Sequence, residues 1–141
     1  HCRNVVEHYH YVTFERPLRE QVANLARITH RQNTREGISL KYAAEYLMQQ
    51  PQRDKLLLVI SDGDPFHVDA NDNIFSGEPA QIDAALVVEE YEKKGMAIIG
   101  IAIGEGQDLI ASIYKNFISI NKLEALPQKL VTLIEKRVLK N

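Results

Sequence analysis

Cysteine is nearly absent from these 141 residues, tryptophan wholly so, and neither sign of charge dominates. The single cysteine, Cys2, cannot close an internal disulfide, so the fold rests on its core, as suits a reducing compartment. With 17 Lys and Arg against 19 Asp and Glu, the formal charge of −2 offers no electrostatic footprint for nucleic acid. No apolar stretch approaches the roughly 18 residues that suggest a membrane span, and the amino terminus lacks a charged-then-apolar leader pattern. These absences predict a soluble, cytoplasmic protein. No linker, repeat or low-complexity run divides the chain, so it reads as one domain over residues 1–141, long enough to bury roughly two thirds of its unfolded surface.

What is present is most informative at Lys55-Leu56-Leu57-Leu58-Val59-Ile60-Ser61-Asp62-Gly63-Asp64-Pro65. Five apolar residues without alternation suit a strand covered on both faces, as in a parallel sheet, and Gly and Pro bound the run sharply. Asp62 and Asp64 then stand at the carboxyl end of the strand, where open α/β sheets bind ligands. The segment Asn33-Thr34-Arg35-Glu36-Gly37 precedes a helix and opens on the same rim if strand and helix alternate. A hydroxyl and a carboxylate facing one another are partial ligands for Mg²⁺, which takes oxygen donors and keeps several waters.

Along the chain, Val5 to Phe14 is rich in β-branched and aromatic residues and reads as a strand, with Pro17 opening a helix that ends near His30 or Arg31. Leu40, Ala43, Ala44 and Leu47 form a helical stripe ended by Pro51, and Ala84, Val87, Val88 and Tyr91 repeat it after Pro79. Between them, His67 to Gly77 reads as a polar loop. Met96 to Ile103 is a second buried strand, followed by a short helix over residues 108–115, a strand at Phe117 to Ile120, and a closing helix presenting Leu123, Leu126, Leu130, Leu133 and Ile134.

Asn33 to Gly37, the helix with Ala43-Ala44, Lys55 to Asp64, and Gly95 to Ala102 together resemble the later part of a von Willebrand factor A domain, of the bacterial type found in nitric-oxide-reductase activation proteins and cobalt-chelatase large subunits. The resemblance implies a three-layer α/β fold, Rossmann-like, with a largely parallel sheet and helices on both faces. It also implies a metal-ion-dependent adhesion site, built in that family from an Asp-x-Ser-x-Ser motif, a Thr before a helix and an Asp in a Ser/Thr-Asp-Gly turn. Thr34 and Asp62 match the second and third motifs, and the first has no match. The resemblance therefore begins after the family's first strand, with Val5 to Phe14 in the place of an edge strand, and implies a fragment of a longer protein or a domain completed by another chain.

By the same resemblance, the expected function is non-enzymatic protein binding, with Mg²⁺ or Mn²⁺ at Thr34 and Asp62 in the complete protein and a partner-binding rim of Asn33, Arg35, Asp64, His67 and Asp69. The implied partner is a MoxR-type or chelatase-type AAA+ ATPase assisting metal insertion or maturation of a client enzyme; a homo-oligomer is also consistent. The competing expectation is a Mg²⁺-dependent hydrolase using Asp62 and Asp64 as ligands and His67 as general base, and a third is a structural or oligomerising remnant. Other patterns fall short. His8 and His10 share a strand face without a placed fourth zinc ligand, and His67-Val68-Asp69 lacks the third ligand of an iron triad. Asp69 to Ala80 has Ile74 where a calcium loop needs Gly, and Leu109 stands where Gly104-Glu105-Gly106 would need a third dinucleotide-binding glycine.

Overall fold

The computed structural model describes residues 6–29, 35–69, 71–103, 107–120 and 123–138, with side chains of the last helix described to residue 135. The chain runs α1 (Leu18–Gln21), α2 (Glu36–Met48), β1 (Leu56–Ser61), β2 (Phe66–Val68), β3 (Ile74–Ser76), α3 (Gly77–Lys93), β4 (Ala97–Ile103), α4 (Gln107–Ile113), β5 (Phe117–Ile120) and α5 (Leu126–Val138). β1, β4 and β5 form a parallel sheet in the order β1-β4-β5, with Leu56 opposite Ala97 and Gly100 opposite Phe117. This is the expected α/β architecture.

Helical periodicity explains which face each helix buries. Leu40 and Ala44 of α2, Ala84, Val88 and Tyr91 of α3, and Ile110 and Ile113 of α4 close over one side of the sheet, against Ile98 and Ala102 of β4 with Leu57 and Val59 of β1. On the other side Ile99, Ile101, Ile118 and Ile120 meet Leu126, Leu130 and Leu133 of α5. Alternate residues of β4 serve the two cores, which is why its sequence shows no alternation of polarity.

Four expectations are corrected. β1 is not covered on both faces: Leu58 is 38% and Ile60 62% exposed. Among the described residues β1 pairs only with β4, and the core under α5 takes in Leu56 but neither of these two side chains. The segment Val5 to Phe14 forms no strand over its described residues 6–14. Its polar backbone is captured instead by side chains, the buried Gln21 bonding both Thr13 N–H and Thr13 C=O, and Asn24 bonding Tyr11 C=O. Its rings lie on α2, with His8 stacked on Tyr42 at 3.9 Å and Phe14 5.6 Å from Tyr46. The helix expected to reach His30 is one α-turn continued as a tight 3-10 stretch over Val22–Arg27, with Leu18, Val22 and Leu25 exposed; a helix this short needs a packed face to persist, and these side chains lack one.

The polar loop expected at His67 to Gly77 is the fourth correction, because β2 and β3 pair there as an antiparallel hairpin, His67 opposite Phe75. Its turn is closed by Asp69, whose carboxylate accepts the N–H groups of Asn71 and Asn73 at 2.8 and 2.9 Å and the Asn73 side-chain amide at 2.9 Å.

Gly100 shows how tightly the upper core is closed. A Cβ there would lie 2.6 Å from the Tyr114 ring, inside any real contact distance. Gly100→Ala is therefore expected to destabilise the domain by about 1–3 kcal/mol through overpacking, measured as a lower urea midpoint with an unchanged m-value.

Candidate functional site

The carboxyl end of β1 meets the amino end of α2 through one buried carboxylate. Glu36, the first residue of α2 and only 5% exposed, accepts a hydrogen bond from Ser61 Oγ at 2.9 Å and one from the Tyr114 hydroxyl at 2.6 Å. Ser61 Oγ in turn accepts the Gly63 N–H at 3.0 Å, so the last residue of β1 both donates to Glu36 and holds the turn that follows it. Tyr114 is 1% exposed. Burial first, and then the Glu36 carboxylate, push its phenol far above the ordinary tyrosine range, so it remains a donor.

The turn carrying the candidate acids is seated on α4. Gly63 has φ +77°, and a Cβ there would come within 2.7 Å of the Ile110 nitrogen and 2.8 Å of Leu109 Cβ, so both its backbone conformation and the available space call for glycine. Asp62 and Asp64 on either side are exposed, and the Asp64 N–H bonds Asp62 Oδ1 at 3.2 Å. Pro65 is fully buried and leads into the hairpin. The hairpin lies against the start of α2, where the Arg35 guanidinium sits 5.1 Å above the Phe75 ring, with Arg35 Nε buried and without a hydrogen-bond partner.

The sequence-predicted residues divide accordingly. Asn33 and Thr34 lie outside the described residues, whereas their neighbours Arg35 and Glu36 stand at the rim beside Ser61 and Asp62. Asp62 and Asp64 are exposed on that rim, His67 is buried at 7% exposure within β2, and Asp69 is occupied in closing the hairpin turn. The donors fit a hard divalent cation in kind, since Asp62 offers a carboxylate and Thr34 a hydroxyl. In number they do not, because among the described residues no group of three or more His, Cys, Asp or Glu is arranged to hold an ion. Asp62, Asp64 and His67 thus form no such cluster, and the grooves of about 550 and 390 Å³ lie elsewhere, between α3 and α4 and between β5 and α5.

Sequence reading missed Glu36, Ser61 and Tyr114 as site residues. Glu36-Gly37 directly after Thr34 and Ser61 directly before Asp62 were available signals, whereas Tyr114 had none locally.

Known proteins bear on this geometry. The family model for the cobalamin biosynthesis protein CobT VWA domain matches residues 5–140. Protein NorD of Brucella abortus (strain 2308) is 33% identical over 70 residues, covering 50% of this chain and 10% of its own length. Protein NorD of Brucella suis biovar 1 (strain 1330) matches with the same identity and coverage. The match thus spans about a tenth of the length of these relatives. Among solved structures, the pilus adhesin SpaC from Lactobacillus rhamnosus GG superimposes with a TM-score of 0.58 at 11% identity, over 86% of this chain and 21% of that one, a likeness of fold alone. Among the described residues no helix is long and apolar enough to cross a membrane.

Asp69 supplies a pH test of the rim. The Asn73 side-chain amide, then the Asn73 N–H, hold its carboxyl below the ordinary aspartate range. A depressed pKa makes its contribution full above the ordinary value of about 3.9 and lost as pH falls through the folded value. Acid titration of the Asn71 and Asn73 amide shifts by NMR is expected to give a midpoint below about 3.9, and Asp69→Ala is expected to abolish that transition and to speed amide exchange across residues 66–76.

Proposed function

The chain belongs to the cobalamin biosynthesis protein CobT VWA domain family, and on that premise we propose that it is a non-enzymatic protein-interaction domain whose binding surface is the rim around Asp62. The observation that carries the reading is the Ser61–Glu36 hydrogen bond, which brings the segment after Thr34 against the residue before Asp62. In this reading Thr34 and Asp62 share a Mg²⁺ or Mn²⁺ ion in the complete protein, and a partner carboxylate joins its shell. Asn33, Arg35 and the exposed Asp64 supply contacts around it, while the buried His67 and the turn-closing Asp69 hold the hairpin beside them. The partner is a cytoplasmic MoxR-type or chelatase-type AAA+ ATPase, and the client is an enzyme receiving a metal or being matured.

The edge of β1 supports a second component of the same reading. An uncharged strand whose outer side chains Leu58 and Ile60 are exposed, and which pairs on one side only among the described residues, is suited to accept another strand. In this reading another chain supplies that strand.

Binding between the full-length protein and a MoxR-type ATPase, measured by calorimetry, is expected to need Mg²⁺, to be lost with EDTA, and to fall at least tenfold in Asp62→Ala. Unchanged affinity in Asp62→Ala, with the variant folded, would overturn the rim as the binding surface. For the isolated 141 residues, Mn²⁺ titration is expected to show no tight stoichiometric uptake, since two protein donors leave most of the shell to water. Tight uptake that disappears in Thr34→Ala would contradict this.

A further inference from the structure

Burying a carboxylate costs free energy that an apolar side chain of the same volume would not incur, so a buried glutamate at the start of a helix calls for an account beyond packing. Glu36 is 5% exposed, and its two oxygens are divided between two elements: Oε2 takes the Ser61 hydroxyl from the end of β1, and Oε1 takes the Tyr114 hydroxyl just beyond α4. We propose that Glu36 is the positioning residue of the rim, a clasp that fixes the Asp62 turn relative to the start of α2. The inference deepens the reading of this rim as the binding surface and rests on it for its consequence.

The direction of the bonds matters more than their number. Because Ser61 gives its proton to Glu36, its lone pairs face the Gly63 N–H, and the chain of donors runs from Gly63 through Ser61 to the carboxylate. Asp62 lies between the two held residues, and Gly63 is pressed against Ile110 and Leu109 on its far side. Tyr114 holds the other oxygen and cannot drift, since its ring fills the space over Gly100. The backbone of Asp62 is thereby referred to three elements, α2, β1 and α4, through one side chain.

An amide cannot replace that carboxylate. In Glu36→Gln the single remaining carbonyl oxygen accepts one hydroxyl, and the NH₂ group must donate where a proton was previously received. If it faces Ser61, the serine oxygen accepts from two donors while its own proton loses the acceptor. Glu36→Asp is one methylene too short to span both hydroxyls.

The test uses the full-length protein with Glu36→Gln, Glu36→Asp, Ser61→Ala and Tyr114→Phe, reading amide exchange at Gly63 and Asp64, Mn²⁺ affinity by electron paramagnetic resonance, and melting temperature. Ser61→Ala and Glu36→Gln are expected to speed exchange at Gly63 about tenfold, the size of one hydrogen bond, and to weaken Mn²⁺ binding by a similar factor while the protein stays folded. Tyr114→Phe is expected to give a smaller change in the same direction, and Glu36→Asp no rescue. A lowered melting temperature with exchange and Mn²⁺ affinity both within twofold of the parent would make Glu36 a purely structural residue and overturn the proposal. If the parent protein itself takes up no Mn²⁺, the metal part of the functional reading fails while exchange at Gly63 still decides the clasp. Should Glu36→Gln not fold, Tyr114→Phe, which removes one of the two Glu36 bonds and leaves the Gly63 acceptor in place, carries the decision.

Discussion

A carboxylate out of water is stable only where donors replace its hydration, and the geometry of this domain's rim follows from how Glu36 meets that demand. Its donors, Ser61 and Tyr114, come from the end of a strand and from a residue 78 positions along the chain. A hydrogen bond to a charged group contributes about 1.5–3 kcal/mol, against 0.5–1.5 for a neutral pair, so these two bonds outweigh an ordinary turn contact. Around them the packing leaves little room for adjustment: a Cβ would collide at Gly100, at Gly63 and, on the α2 side facing α3, at Gly37, where it would meet the Asp83 side chain. Small residues line the places where elements approach the clasp.

The parts of the fold legible in the sequence are those whose pattern follows from a single element. Leu40 and Ala44, Ala84 and Val88, and Leu126, Leu130 and Leu133 face the sheet because helical periodicity leaves them no other common face. β4 was equally plain, since a strand between two cores carries apolar residues at every position. β1 has the same apolar composition and a different environment: neighbours decide burial, and composition does not report them. Val6 to Phe14 has the residues of a strand, yet its backbone partners are the side chains of Gln21 and Asn24 and its rings rest on Tyr42 and Tyr46. The hairpin was hidden by its own turn, because Asp69, Asn71 and Asn73 look like solvated loop residues until their closing bonds are seen.

The candidate site divides along the same line. Asp62 was legible because a carboxylate at the end of a parallel strand points to a rim, a rule of topology. Glu36 was not, since a glutamate in the first turn of a helix ordinarily faces water and favours the helix dipole. Here Ser61 and Tyr114 close on its two oxygens and it is interior. The comparisons divide similarly: the adhesin SpaC shares the fold at 11% identity, whereas the CobT family model spans the rim segments themselves. Fold supplies the rim, and the residues on it supply whatever chemistry it has.

Ser61 joins the rim to the side of β1 that pairs with no strand among the described residues. It is the last residue of β1, paired with Ala102 on one side, and its side chain belongs to the Glu36 clasp. On the reading proposed above, a strand adding along the other side of β1 meets the backbone of Leu58 to Ser61 and lies beside Ile60, which is 62% exposed. It thereby restricts the same residues that aim Asp62. On the proposed reading, completing the sheet and ordering the rim are coupled, since backbone pairing along β1 lowers the freedom of Ser61, whose hydroxyl holds the turn. An ion or partner that favours the ordered turn favours the paired strand by the same free energy, because linkage between two events at one residue is reciprocal.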